Sequence, residues 1–253
     1  MFHKLERTHD GSYMITHRRT FSPDDPYHTG KHMNLKSDTV KDIFEFAYNM
    51  SFGEGGEHRA HRSGGTHERH NGEIFANAFQ GKLAEYIVLG FLHTKGCTVT
   101  KDDLDLQTYS LGQWDSVDIE KNGVTISVKS TKSFGNLILL ETKDWDEYGC
   151  YKPNGKSYDY TFLVRLDPFC ESIMQNHRLL YSDTVDKDYL YNIICSETWK
   201  FDIPGFITND DLKQIIRKRH IIKRGARLHN TPMDAENFYI QSGDLHSIDE
   251  FNI

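Results

Sequence analysis

The sequence predicts a mixed α/β protein, with a central β-sheet flanked by helices. Three observations carry this. Residues 74–95 (IFANAFQGKLAEYIVLGFLHTK) repeat apolar side chains at intervals of three and four, the signature of a helix with a buried face. Residues 114–131 hold two β-rich runs, WDSVDIE and VTISVKST, around Lys121-Asn122-Gly123. Asn-Gly between such runs is a strong hairpin signal, because both turn residues adopt positive φ. NLILLE (136–141) and YTFLVRL (160–166) are nearly continuous apolar runs, as expected of strands at the centre of a sheet. The order helix, hairpin, strands, helices fits an α/β or α+β domain.

The remaining elements follow in chain order. Residues 1–37 are polar, with HRR at 17–19 and SPDDP at 22–26, and read as an arm with turns. Residues 38–50 read as a short amphipathic helix capped by Asp38, with Ile43, Phe46 and Ala47 on one face. Residues 51–73 are rich in Gly, His and Arg and almost free of apolar residues, so they read as a long loop. In the long helix, Phe75, Ala78, Phe79, Leu83, Tyr86, Ile87 and Phe91 form the repeat, and Gly96 ends it. CTVT (97–100) is a short strand candidate, and helical and mixed segments run to about 200. Residues 209–224 read as a helix, acidic at the start and basic at the end, which suits the helix dipole. NFYIQS (237–242) is the last strand candidate. The expected division is 1–73, an arm and loop, and 74–253, the core with its basic C-terminal helix, together forming one elaborated domain.

Composition bounds the function. The chain has 253 residues, of which 37% are hydrophobic and 26% charged, and a chain of this size buries roughly 70–75% of its unfolded surface without needing a disulfide or metal. No apolar run approaches the length of a membrane span. The N-terminus MFHKLERTHDG lacks an apolar signal core, and none of the four cysteines forms a C-x-x-C pair. The expected location is a reducing cytoplasm, in a prokaryote or encoded by a phage. The net charge of −7 argues against a protein that coats nucleic acid, but not against an enzyme with a local basic face. Such a face exists: residues 209–229 hold seven Lys/Arg against two Asp.

The hairpin carries the chemistry. Alternation along a strand points Ser127 and Lys129 to one face and Ile126 and Val128 to the other. Asp118, 11 residues before Lys129, returns beside the second strand through the turn. A carboxylate and an ammonium thus converge on an otherwise apolar sheet. The plain alternative is an exposed cross-strand ion pair, worth under about 1 kcal/mol. Asp115 and Glu120 flank Asp118 and are alternatives for its role.

The pattern D-I-x-x-N-G-x-x-I-x-V-K resembles the core hairpin of the PD-(D/E)XK nuclease superfamily, which includes most type II restriction endonucleases. Gln80-Gly-Lys-Leu-Ala-Glu85 resembles the acid-bearing helix that many members place before the hairpin. The resemblance covers roughly residues 74–166. It implies a restriction-endonuclease-like core, Mg²⁺ as cofactor, double-stranded DNA as substrate, and a homodimer matched to a twofold site. It also implies roles for Asp118, Ser127, Lys129, Glu85 and Glu141. Asp118 is the main metal ligand, and Lys129 sits near the attacking water and the scissile phosphate. The sequence departs from the family at Ser127, which stands where a second acid is expected. A subset of these enzymes recruits a carboxylate from elsewhere, and Glu141 or Glu85 is the candidate replacement.

Arg59, Arg62 and Arg69 in the loop, and Lys213, Arg217, Lys218, Arg219, Lys223 and Arg224 near the C-terminus, are the candidate DNA contacts. A zinc site built from His58, His61, His67 and His70 is the weaker reading of the same loop, since it lacks cysteines and a helical His pair. The remaining readings are a homing, nicking or repair nuclease on the same core, and an inactive sequence-specific DNA-binding protein with Ser127 as the lesion.

Overall fold

A computed structural model describes residues 1–53, 69–106 and 117–253. In chain order the elements are β1 (Glu6–Arg7), β2 (Tyr13–Met14), α1 (Ser37–Ser51), α2 (Asn71–Thr94), β3 (Ile119–Lys121), β4 (Val124–Lys132) and β5 (Leu137–Glu141). They continue with β6 (Cys150–Tyr151), β7 (Lys156–Ser157), β8 (Tyr160–Asp167), α3 (Cys170–Asn176), α4 (Lys187–Cys195) and β9 (Lys200–Thr208). Last come α5 (Asn209–Arg217), β10 (Ile221–Ile222), β11 (Arg227–Leu228), β12 (Thr231–Pro232) and β13 (Asn237–Gln241). The protein is mixed α/β, as its sequence predicts. No helix among the described residues is long and apolar enough to cross a membrane.

The main sheet has the order β3-β4-β8-β9, with β4 and β8 parallel and the other pairs antiparallel. Alternation divides its side chains between two cores. Ile126, Phe162, Val164 and Leu166 face α1 and α2 in the larger core, with Phe44, Phe75, Phe79, Leu83, Ile87 and Phe91. Leu163 and Ile207 face the other way, against Ile138 and Leu140 of β5, Phe238 and Ile240 of β13, and Leu212 and Ile215 of α5. Helices therefore cover one face of the main sheet. A three-stranded antiparallel sheet, β10-β13-β5, covers the other together with α5.

The β3–β4 turn forms as expected. Asn122 and Gly123 have φ of 53° and 78°, the pair of positive values that a two-residue hairpin turn demands. Several expectations do not hold. The arm packs: Leu5 and Tyr27 are buried, and the Tyr27 hydroxyl donates to the Ile87 carbonyl at 2.8 Å. Its polar sequence is anchored by distant partners that local patterning does not reveal. Helix α1 is capped by the backbone of Lys36, with Asp38 in its first turn and no side-chain cap. Residues 97–100 form no strand, although Cys97 is buried.

The basic helix ends at Arg217, seven residues early. Arg219 adopts φ 51°, and the amides of Arg219 and His220 donate to the carbonyls of Ile216 and Ile215, closing the helix with a left-handed cap. Ile221 and Ile222 then pair with Phe238 and Asn237, so sheet pairing overrides the helical pattern. Strand β9 was not foreseen, because KFDIPGFIT contains Pro and Gly. It is an edge strand with a register shift opposite Leu163 and Arg165, and Pro204 lies in that irregularity, where no ladder donor is needed.

Candidate active site at the β3–β4 hairpin

Asp118 precedes β3 directly and lies beside Ser127, because Ile119 pairs with Ile126. The buried Ser127 hydroxyl donates to Asp118 Oδ2 at 3.0 Å, and the Val128 amide donates to the same oxygen at 2.7 Å. These two bonds fix the carboxylate. Asp118 Oδ1 accepts no hydrogen bond among the described residues. Ser127 therefore holds Asp118 from the position where an acid was expected.

Lys129 leaves the strand two residues later on the same face, opposite Leu163 of β8. It is half-buried, and no described residue pairs with its ammonium. Asp118 and Lys129 do not form an ion pair, so the reading of an ordinary cross-strand salt bridge is overturned. A hydroxyl and an amide hold Asp118 through Oδ2, and no described residue pairs with the Lys129 ammonium. Glu120 is exposed, while Asp115 lies outside the described residues.

Tyr158 adjoins the carboxylate. Burial, and then the Asp118 charge, push its phenol up to about 12, so it stays protonated beside Asp118. Its ring contacts Trp145 and Tyr151, with centroids 6.1 and 6.2 Å apart. Sequence reasoning missed these three aromatics. They lie in the β5–β8 connection, where the bridge between Trp145 and Tyr151 and the short β6–β7 pair help to gather them.

The other acids are placed differently. Glu85 sits on α2, with Lys82 Nζ 2.9 Å from its Oε2. Helix α2 packs on the sheet face opposite Ser127 and Lys129. Gln80 accepts the Glu171 amide at 3.0 Å and so secures the start of α3. Glu141 ends β5, and alternation turns it away from Ile138 and Leu140. Its Oε2 is buried without a hydrogen bond, 3.2 Å from Lys143 Nζ. Asp118, Glu85 and Glu141 do not form a close three-ligand group; among the described residues, the one such group is His3, His17 and Asp244. Asp118 Oδ1, which accepts no hydrogen bond among the described residues, is a hard donor of the type Mg²⁺ takes, and that ion commonly uses one or two carboxylates and several waters. The donor chemistry fits Mg²⁺ without Glu85.

Of the candidate DNA contacts, Arg59 and Arg62 lie outside the described residues, as do His58, His61 and His67. Arg69 is half-buried just before α2. His70 precedes α2 with its Nδ1 3.2 Å from Asp183, a contact that ties the helix start to a segment 113 residues further along the chain. Arg217, Lys218, Arg219, Lys223 and Arg224 are all exposed around the end of α5 and β10, while Lys213 pairs with Asp210 at 3.0 Å. The basic residues thus cluster on a helix end and two turns rather than along one helix. No family model matches this chain, and neither a curated protein nor a solved structure is significantly similar to it.

Proposed function

We propose that the protein is a Mg²⁺-dependent endonuclease acting on double-stranded DNA, with its reacting centre at Asp118 and Lys129. The observation that carries this reading is an oriented carboxylate with one oxygen that accepts no hydrogen bond among the described residues, held by Ser127, and a half-buried ammonium two residues further along the same strand face that no described residue pairs. An unpaired charge held in a folded sheet is costly unless a ligand uses it. Asp118 Oδ1 would hold the ion together with water, and the ion supplies Lewis-acid polarisation of a phosphate oxygen and a lowered pKa for bound water. Ser127 and the Val128 amide keep Asp118 aimed. Lys129 stabilises charge on the phosphate and orients the attacking water. The exposed cations around the end of α5 would neutralise backbone phosphates. The finer reading is a sequence-specific enzyme of restriction type, homodimeric and cytoplasmic, in a prokaryote or a phage.

A second reading is a DNA-binding protein without cleavage activity. It is favoured by Ser127 in place of an acid and by the separation of Glu85 from the hairpin. Incubation of phage genomic DNA with the protein, in Mg²⁺ and in EDTA, separates the two. Discrete fragments in Mg²⁺ alone support the restriction reading, while a smear keeps the nuclease and removes the specificity. Intact DNA with a retained gel shift supports the binding protein. Asp118→Asn and Lys129→Ala should each abolish cleavage while leaving folding and DNA binding intact. Wild-type cleavage by either variant would refute the assignment.

A further inference from the structure

We infer that His3, His17 and Asp244 form a binding site for a borderline divalent cation, of which Zn²⁺ is the type, clasping the N-terminal strand pair to the end of β13. Each of the three residues brings a ligand atom to within 4.8 Å of the other two. They come from three separate segments: His3 before β1, His17 after β2, and Asp244 just past β13. The inference is independent of the hairpin site. Its two nitrogen donors and one oxygen suit Zn²⁺ rather than Mg²⁺, which prefers oxygen.

The backbone around the cluster is built to hold it. The fully buried Gln241 bridges both histidine segments. Its Oε1 accepts the amides of Thr16 and His17 at 2.7 and 3.0 Å, and its Nε2 donates to the His3 carbonyl at 3.1 Å. The Gly243 amide donates to the His17 carbonyl at 3.1 Å. A side chain at 243 would meet the His17 carbonyl carbon at 2.8 Å, so this approach of two backbones requires glycine. The three ligand-bearing positions are therefore set before any ion arrives.

The side chains complete the case. The Asp244 carboxylate is only 3% exposed. Its Oδ2 accepts the His3 amide at 2.7 Å, and its Oδ1 lies 2.6 Å from His3 Nδ1. The His3 and His17 rings stack 3.7 Å apart and 6° from parallel. Parallel rings cannot both direct lone pairs at one ion, so binding turns one ring out of the stack. The His3 side chain is 42% exposed and can turn without disturbing the core. Three protein ligands leave the fourth tetrahedral position to water. Since residues 3 and 244 are almost the whole chain apart, the ion would act as a cross-link that binds only the folded protein.

The test uses untagged full-length protein, stripped with EDTA and dialysed against Zn²⁺, beside His17→Gln and Asp244→Asn. Among the described residues His17 makes no ion pair, and its ring meets the Thr16 hydroxyl at 3.1 Å and the His3 ring, so His17→Gln isolates the ligand. The wild type should retain about one more Zn²⁺ per chain than either variant. Zn²⁺ should raise its Tm by several degrees, and this shift should vanish in both variants. Co²⁺ in place of Zn²⁺ should give visible absorption bands that the variants lack. Equal Zn²⁺ content in the wild type and in His17→Gln, or a Tm shift unchanged by the substitution, would overturn the inference and place any bound metal elsewhere.

Discussion

Asp202→Ala should be among the most destabilising single changes available in this protein. Arg165 is 1% exposed, and all five of its N–H donors are used. Nε and Nη2 donate to Asp202 at 2.8 and 2.5 Å, Nη1 to the Arg19 carbonyl at 2.7 Å and Asn136 Oδ1 at 3.2 Å, and Nη2 to the Thr20 carbonyl at 2.9 Å. Asp202 also accepts the Ser22 amide at 2.8 Å. Removing the carboxylate leaves a buried guanidinium uncompensated, which costs about 3–5 kcal/mol. The orphaned Ser22 amide adds about 1 kcal/mol. A loss of this size is a large share of the ~5–15 kcal/mol that holds a typical domain together, and it should lower Tm by roughly 10–20 °C. Equilibrium urea unfolding of wild type and variant at pH 7 measures it. Limited trypsin digestion gives a second readout, since residues 19–22 should loosen and expose Arg18 and Arg19 to cleavage. A stability loss below about 1.5 kcal/mol, with unchanged proteolysis, would show that water reaches the guanidinium and that the burial argument is wrong.

Three other predictions concern separate parts of the molecule. On the proposed nuclease reading, Glu85→Gln and Glu141→Gln should each leave cleavage within a few-fold of wild type, because Glu85 pairs with Lys82 on α2 and Glu141 pairs with Lys143; a titration of cleavage rate against Mg²⁺ for both variants decides it. Gly72→Ala would place a methyl group 1.9 Å from the Leu179 carbonyl oxygen and 2.6 Å from that of Leu180, so it should destabilise by about 3 kcal/mol, measured by urea unfolding. His220 is buried, its Nδ1 has no hydrogen bond among the described residues, and burial together with the Lys4 and Lys218 charges lowers its pKa below the usual 6.5. Between that lowered value and 6.5 the unfolded chain binds more protons, so stability should rise with pH across this window. His220→Phe should flatten the rise in urea midpoint with pH below 6.5, and an unchanged slope would assign it to other histidines.

Local chemistry was enough for the parts of this protein that depend on neighbouring residues. Asn122-Gly123 specified a hairpin because that turn needs two positive φ values, and the hairpin alone brought Asp118 beside Ser127. The spacing of Phe75, Phe79, Leu83, Ile87 and Phe91 specified α2, and the apolar runs specified β5 and β8. Two-residue alternation placed Ser127 and Lys129 on a common face before any fold was known.

What the sequence by itself could not decide was which distant groups meet. Ile221 and Ile222 continue a helical pattern, yet β13 takes them as a strand, because pairing and burial outweigh propensity over two residues. The polar segment 1–37 packs because Arg165, Gln241, Ile87 and others supply partners from far along the chain. That Asp118 accepts from Ser127 and Val128 and does not pair with Lys129 was likewise visible only in the folded hairpin. The grouping of Tyr158 with Asp118, and of His3 with Asp244, has no sequence period at all. Local patterns report backbone preference and the side of an element that faces a core. Contacts between segments depend on how two faces pack in space, and only the folded chain brings those faces together.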